Sequence, residues 1–101
     1  MEWLWTWGGT CFGYRKDGDL WTHDGRHVGR FYGDEVYGPD GRYLGEIMGG
    51  DRLITNLSKQ YRRRSDFARH GRRVPCIAHG PYVGHVMYAG HQDFPAPNAV
   101  P

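Results

Sequence analysis

The chain lacks any long hydrophobic run: nothing in it approaches the 18 or so consecutive apolar residues that a membrane-spanning helix needs. The opening MEWLWTW has no basic region, no extended apolar core and no small-residue cleavage site, so no secretory signal peptide is expected and a cytoplasmic or peripheral protein is the default expectation. Cysteine is scarce. Cys11 and Cys76 allow one disulfide at most, so this is not a disulfide-framework protein, and two free buried thiols fit equally well. Also missing are GxSxG, P-loop, CxxC and HExxH patterns, and with them the enzyme classes those patterns carry.

What is abundant is glycine. Sixteen glycines sit among 39% hydrophobic and 15% aromatic residues, a composition for many tight turns between short strands in one domain of 101 residues. The glycines fall in a repeat. Leu20 to Glu35 (LWTHDGRHVGRFYGDE) aligns without a gap on Val36 to Asp51 (VYGPDGRYLGEIMGGD). The two share an aromatic after the opening β-former (Trp21, Tyr37), Asp-Gly-Arg (Asp24-Gly25-Arg26, Asp40-Gly41-Arg42), an apolar-glycine pair (Val28-Gly29, Leu44-Gly45) and an apolar residue two further on (Phe31, Ile47). Leu4 to Asp19 is a degenerate copy that keeps Leu4-Trp5-Thr6, Gly9, Phe12 and Gly13 but carries Arg15 in the column of Phe31. Pro75 to Gly90 supplies a fourth copy in the same columns, through Gly80, Tyr82, Val83, Gly84 and Val86.

Each block reads as two short strands joined at the Asp-Gly turn, whose glycine supplies the positive φ of a tight hairpin. Asp24, Gly25, Asp40, Gly41 and Gly80 are assigned to turns, and the recurring Gly13, Gly29, Gly45 and Gly84 to close approaches inside the strands. Closing the sheet would remove its edges. The expected fold is therefore all-β: about eight short strands in a small closed barrel of four repeated two-stranded units (about 4–19, 20–35, 36–51 and 75–90) with approximate four-fold symmetry. A single domain spans 1–95, followed by a proline-rich tail over 96–101 in which Phe94 docks on the barrel just before the tail begins. The succession from Leu20 to Asn56, then a basic stretch, then PYVGHVMYAGHQDFP, resembles the bacterial 4-fold beta flower proteins over about Leu20 to Pro95. The resemblance implies a shallow barrel of four petals and brings no activity, cofactor or catalytic residue with it. The first block departs from the pattern, with Trp3, Trp5 and Trp7 alternating and Gly8-Gly9 at the turn.

The segment 52–74, set between the third and fourth copies, holds eight cations (Arg52, Lys59, Arg62, Arg63, Arg64, Arg69, Arg72, Arg73) against Asp66 alone. At net +7 in a chain of +2, it leaves −5 for the rest. Leu53, Leu57 and Tyr61 at four-residue spacing predict a short helix from about Asn56, with a loop beyond Ser65. Arg62, Arg63, Arg64, Arg69, Arg72 and Arg73, with Tyr61 for stacking, are the candidate residues for an anionic partner, either nucleic acid or an anionic membrane or protein surface. The bland alternative folds the arm back on the acidic barrel or leaves it in solvent.

Other chemistry is weaker. Asp17, Asp24, Asp34 and Asp40 lie in or beside turns, where carboxylates cap amides. Of the histidines (His23, His27, His70, His79, His85, His91) no sixteen-residue column holds three, so no metal ring is expected. Cys11 with a histidine as a nucleophilic dyad is a remote option. The expectation is a non-enzymatic binding or scaffold module without metal, cofactor or small-molecule substrate. Trp3, Trp5 and Trp7 put their indoles on one strand face, which reads first as core packing or a cover over the barrel mouth; the rival from another class is a domain that self-associates through them as an exposed aromatic patch.

Overall fold

A computed structural model describes all 101 residues, Met1–Pro101. Eight strands follow one another in chain order: β1 (Glu2–Thr6), β2 (Cys11–Lys16), β3 (Asp19–Thr22), β4 (His27–Tyr32), β5 (Glu35–Tyr37), β6 (Tyr43–Met48), β7 (Arg52–Asn56) and β8 (His91–Asp93). Each pairs with the next in antiparallel fashion, and β1 also pairs parallel with β7 (Trp5 with Arg52, Thr6 with Leu53), which closes β1–β7 into a barrel. β8 extends the remaining edge of β7, with Ile54 opposite Asp93.

Three of the hairpins share one irregularity of register. In the hairpin β3–β4, Leu20 faces Gly29 but Trp21 faces His27, so one residue bulges out beside the turn. The same irregularity separates Val36 (opposite Gly45) from Tyr37 (opposite Tyr43), and Leu4 (opposite Gly13) from Trp5 (opposite Cys11). A bulge with glycine at positive φ is the usual way a short hairpin keeps its twist, and Gly9, Gly25 and Gly41 hold φ of 99°, 91° and 83°. Asp24 and Asp40 act at these turns: the Thr22 hydroxyl donates to Asp24, and the Arg42 amide donates to Asp40 Oδ1 at 3.1 Å.

Because side chains alternate along a strand, the apolar columns face inward. Leu4, Leu20, Val36, Phe12, Val28, Phe31 and Leu53 fill the barrel with Phe94 and Val100, and Leu44 and Ile47 pack against them. The barrel is plugged: Phe94 lies edge-on to Phe12 at 5.2 Å. The mid-strand glycines make room, since a Cβ on Gly45 would come within 2.6 Å of Phe94 Cδ1, and one on Gly29 within 2.6 Å of Val36 Cγ2. Arg15, the odd residue of its column, turns its guanidinium over Phe31 at 4.3 Å and donates to Gly33 O.

Two expectations fail. Pro75 to Gly90 forms no strand. Its glycines and valines fit the sixteen-residue columns, but Pro75 and Pro81 offer no N–H to a ladder, and the amides of Cys76, Tyr82 and His85 bond to barrel turns instead of within the segment. Gly80 is thus no hairpin turn; its carbonyl accepts from Trp5 Nε1 at 3.0 Å. Gly84 lies in no barrel strand, and a Cβ there would meet Gly8 O at 2.9 Å. The partner of β7 is β8, so the whole of 57–90 is one connection between them.

The helix expected from Asn56 is a single 3-10 turn, Leu57–Lys59, capped by Asn56 Oδ1 accepting from the Ser58 amide. Leu53, assigned to its apolar face, is instead a buried residue of β7. Past the turn the chain extends along the barrel, and the Arg62 carbonyl accepts from the Tyr43 amide at 3.2 Å.

Candidate anion-binding surface on the strap

Beyond Gln60 the connection crosses the barrel as an extended strap, and its attachments are periodic. Strap residues nine apart meet barrel turns sixteen apart, in reverse order: the amides of Arg64, Arg73 and Tyr82 donate to the carbonyls of Gly41, Gly25 and Gly9 at 2.8, 2.9 and 2.9 Å. Three residues on, the amides of Phe67, Cys76 and His85 donate to Pro39, His23 and Trp7 at 3.1, 2.7 and 3.1 Å. The side chains at the first position cover one aromatic column. Arg64 lies 5.5 Å from the Tyr37 ring, Arg73 lies 5.3 Å from that of Trp21, and Tyr82 stacks on Trp5 at 3.9 Å. At the seventh position His70 stacks on Trp21, His79 packs edge-on to Trp3, and Tyr88 packs on Trp7.

The three turn glycines are what admit the strap. A Cβ on Gly9, Gly25 or Gly41 would sit 2.1, 2.2 or 2.1 Å from the carbonyl oxygen of Tyr82, Arg73 or Arg64. Of the three tryptophans of the self-association reading, Trp5 and Trp7 are buried and Trp3 is half-buried, as the core-packing reading expects, and the Trp7 indole donates to Val86 O. The strap of the same chain already covers them.

The strap cations divide into two sets. Arg52 is a buried β7 residue donating to Trp7 O and Val83 O. Arg64 also stands over Tyr32 at 4.6 Å, and Arg73 donates to the Tyr14 hydroxyl at 3.0 Å. Lys59 bonds both Glu35 and Glu46, at 2.9 and 2.8 Å, while Arg62 reaches Glu35 at 2.9 Å. These five hold the fold. Glu35 and Glu46 face each other across β5–β6, a like-charge pair that destabilises unless a cation joins it. Lys59 joins it, and its hydrogen bond holds the Glu35 carboxyl below the ordinary carboxylate range; the hydrogen bond to Glu46 in turn raises the Lys59 ammonium. Burial pushes the neighbouring Tyr43 phenol well up, so it stays protonated and donates to Glu46. Lys59→Met is expected to cost about 2 kcal/mol at pH 7 by urea unfolding, within the range for breaking a partly buried pair. Since the folded Glu35 value is depressed, that contribution is complete above pH 4.5 and disappears as pH falls through the folded value.

Arg63, Arg69 and Arg72 form the second set, exposed and making no ion pair, hydrogen bond or ring contact through their side chains. Arg63 pairs by its backbone with Arg42. Arg42, Gln60, Tyr61 and Arg63 line a hollow of about 350 Å³ in which Tyr61 is 90% exposed. Arg69 and Arg72 open on a smaller one of about 190 Å³, lined otherwise by Arg26, His27 and His70. Of the seven residues expected to bind an anion, Tyr61, Arg63, Arg69 and Arg72 are free to do so; Arg62, Arg64 and Arg73 are committed to the barrel.

Asp19, His27 and His70 converge, with ligand atoms within 4.8 Å of one another. Their hydrogen bonds do not suit a metal. His27 Nδ1 accepts the His70 amide at 2.9 Å, so the ring proton of neutral His27 is on Nε2, directed at Gly29 O and Asp19 Oδ1 at 3.0 and 3.1 Å. A metal on Nε2 would force the proton onto Nδ1, against the amide. The trio is instead a clasp: His70 Nε2 lies 3.2 Å from Asp19 Oδ2 and ties strap to barrel. Burial pushes the His27 imidazole below its ordinary value. Its folded value being depressed, the bond from the His70 amide to His27 Nδ1 is complete above pH 6.5 and is lost as pH falls through the lower folded value, where Nδ1 takes up a proton. A falling protection factor of the His70 amide, taken against the intrinsic exchange rate at each pH as the pH is lowered from 7.5, is the expected sign, while a protection factor that stays constant until the whole protein unfolds contradicts it.

Cys11 lines a third cavity with His23 and His79, but burial pushes its thiol up, the opposite of what a nucleophile needs. The clasp escaped column-by-column reasoning because His70 lies on the strap, whose period is nine; spacing the arm at nine would have aligned His70 with His79.

Compared with protein-family models, with curated proteins and with solved structures, the chain has no match.

Proposed function

We propose that this domain is a non-enzymatic binding module that holds a phosphate-bearing polymer, nucleic acid in the first instance, along its strap. The observation that carries the proposal is the division of the cations. The barrel takes up Lys59, Arg62, Arg64 and Arg73, which leaves Arg63, Arg69 and Arg72 unpaired on one segment beside an exposed Tyr61. Guanidinium groups neutralise phosphates and release counterions, and an exposed tyrosine between arginines offers a stacking face to an unpaired base.

Membership of the 4-fold beta flower family belongs to the same proposal, supported by the three sixteen-residue hairpins in common register. So does a cytoplasmic location, which the unpaired Cys11 and Cys76 favour; no helix is long and apolar enough to cross a membrane.

Fluorescence anisotropy of labelled single- and double-stranded DNA and RNA at about 50 and 200 mM salt tests the reading. Three contacts, from Arg63, Arg69 and Arg72, predict a loss of affinity of roughly 40-fold between those salts. Changing Arg63, Arg69 and Arg72 together to Ser removes most of that slope and leaves the fold intact. No binding at 50 mM salt overturns the proposal.

A further inference from the structure

The hollow between Arg26, His27, Arg69, His70 and Arg72 differs from the rest of the strap surface. Its lining contains no apolar residue and no carboxylate, and at about 190 Å³ it is the smallest of the four cavities. Barrel and strap both contribute to it: Arg26 comes from the β3–β4 turn, and Arg69, His70 and Arg72 come from the strap. Arg26 is already positioned, because its guanidinium donates to the carbonyls of Val100 and Pro97 and lies 3.9 Å from Asp24. His70 is held by Asp19 through Nε2, and its Nδ1 has no protein partner. His27 is buried, with both ring nitrogens engaged. Arg69 and Arg72 bring two guanidinium charges that nothing in the protein balances.

We infer that this hollow is a site for a phosphate monoester dianion, such as the terminal phosphate of a nucleic acid or a free phosphate, rather than for an internal phosphodiester. The inference rests on the anionic-partner reading and narrows it. A monoester carries a charge of about −1.5 to −2 at neutral pH, matched by the two unpaired guanidinium groups, and its three terminal oxygens suit planar bidentate donors arriving from several sides. A diester oxyanion carries one charge and leaves one of the two guanidinium charges unmatched. Because the lining comes from barrel and strap together, the bound dianion also fastens the strap to the barrel.

The test compares a 5′-phosphorylated with a 5′-hydroxyl oligonucleotide of the same sequence by anisotropy, alongside calorimetric titration with inorganic phosphate. The expected result is a preference of about tenfold for the phosphorylated end, competed by inorganic phosphate. Arg69→Ser with Arg72→Ser abolishes the preference and the calorimetric signal, while Arg63→Ser keeps both and weakens the two oligonucleotides alike. Circular dichroism of the double variant guards against misfolding, and Arg69→Lys with Arg72→Lys, which retains charge but not the planar fork, gives an intermediate preference. Equal affinity for the two ends, with no heat from phosphate, overturns the inference even if both oligonucleotides bind. Phosphate binding that depends on Arg69 and Arg72, without any oligonucleotide binding, overturns the polymer reading and leaves this site standing.

Discussion

Gly25→Ala lowers the free energy of unfolding by about 3–4 kcal/mol, whereas Gly18→Ala costs about 1–2 kcal/mol. Both glycines hold positive φ, 91° and 80°, so both substitutions incur the strain of a left-handed alanine. They differ in surroundings. Nothing lies within 4 Å of a Cβ on Gly18, whereas one on Gly25 would stand 2.2 Å from the Arg73 carbonyl oxygen, a backbone atom that cannot turn aside. To admit the methyl, the strap must leave this hairpin and give up the Arg73 amide bond to Gly25, the Arg73 bond to Tyr14 and the cover over Trp21. Urea unfolding gives the two stabilities, and limited proteolysis between Ser65 and Pro81 reports the lifted strap. Equal losses for the two variants would mean that the strap does not rest on the turn.

Phe94→Ala is expected to cost about 3–5 kcal/mol, the range for deleting a buried phenyl. Phe94 is 2% exposed in the interior cluster. It follows β8 directly, so the three-residue β8 is anchored by this ring as much as by its pairing with β7. With the ring gone, Gly45 and Phe12 face a cavity, and both β8 and the buried Val100 lose their purchase. Since the strap is tethered at its far end through β8, the same variant should raise proteolytic sensitivity along the strap. A loss below about 1 kcal/mol would show that the barrel closes without its plug. The position also bears on Gly45, where added bulk would drive Phe94 out by the same contact.

The barrel was legible because its signal is local. Asp-Gly-Arg at the turns, a glycine opposite Leu20 and Val36, and apolar residues at fixed offsets set turn, bulge and inward face within one sixteen-residue unit. The strap was not, because its signal is a match between two periods. Each strap nonamer is recognised by a turn far away in sequence, and its glycines, valines and Tyr82 imitate the barrel columns well enough to suggest a fourth hairpin. Pro75 and Pro81, which lack the N–H a ladder needs, outweigh the column matches. For the site, charge located the right segment but could not divide it. Arg62 and Arg63 are adjacent in sequence, yet the carboxylate of Glu35 captures only Arg62. That distinction depends on which way the chain leaves the 3-10 turn, which is a tertiary matter.

The account depends most on the strap being seated on the turns at nine-residue steps. Amide hydrogen exchange measured residue by residue by NMR addresses that directly. The amides of Arg64, Arg73 and Tyr82, followed three residues on by those of Phe67, Cys76 and His85, should be protected, while exposed neighbours such as Arg72, Val74 and Ile77 exchange freely. Uniformly fast exchange from Arg64 to Tyr88 would contradict it, returning every strap arginine to solvent and ending the division between structural and free cations.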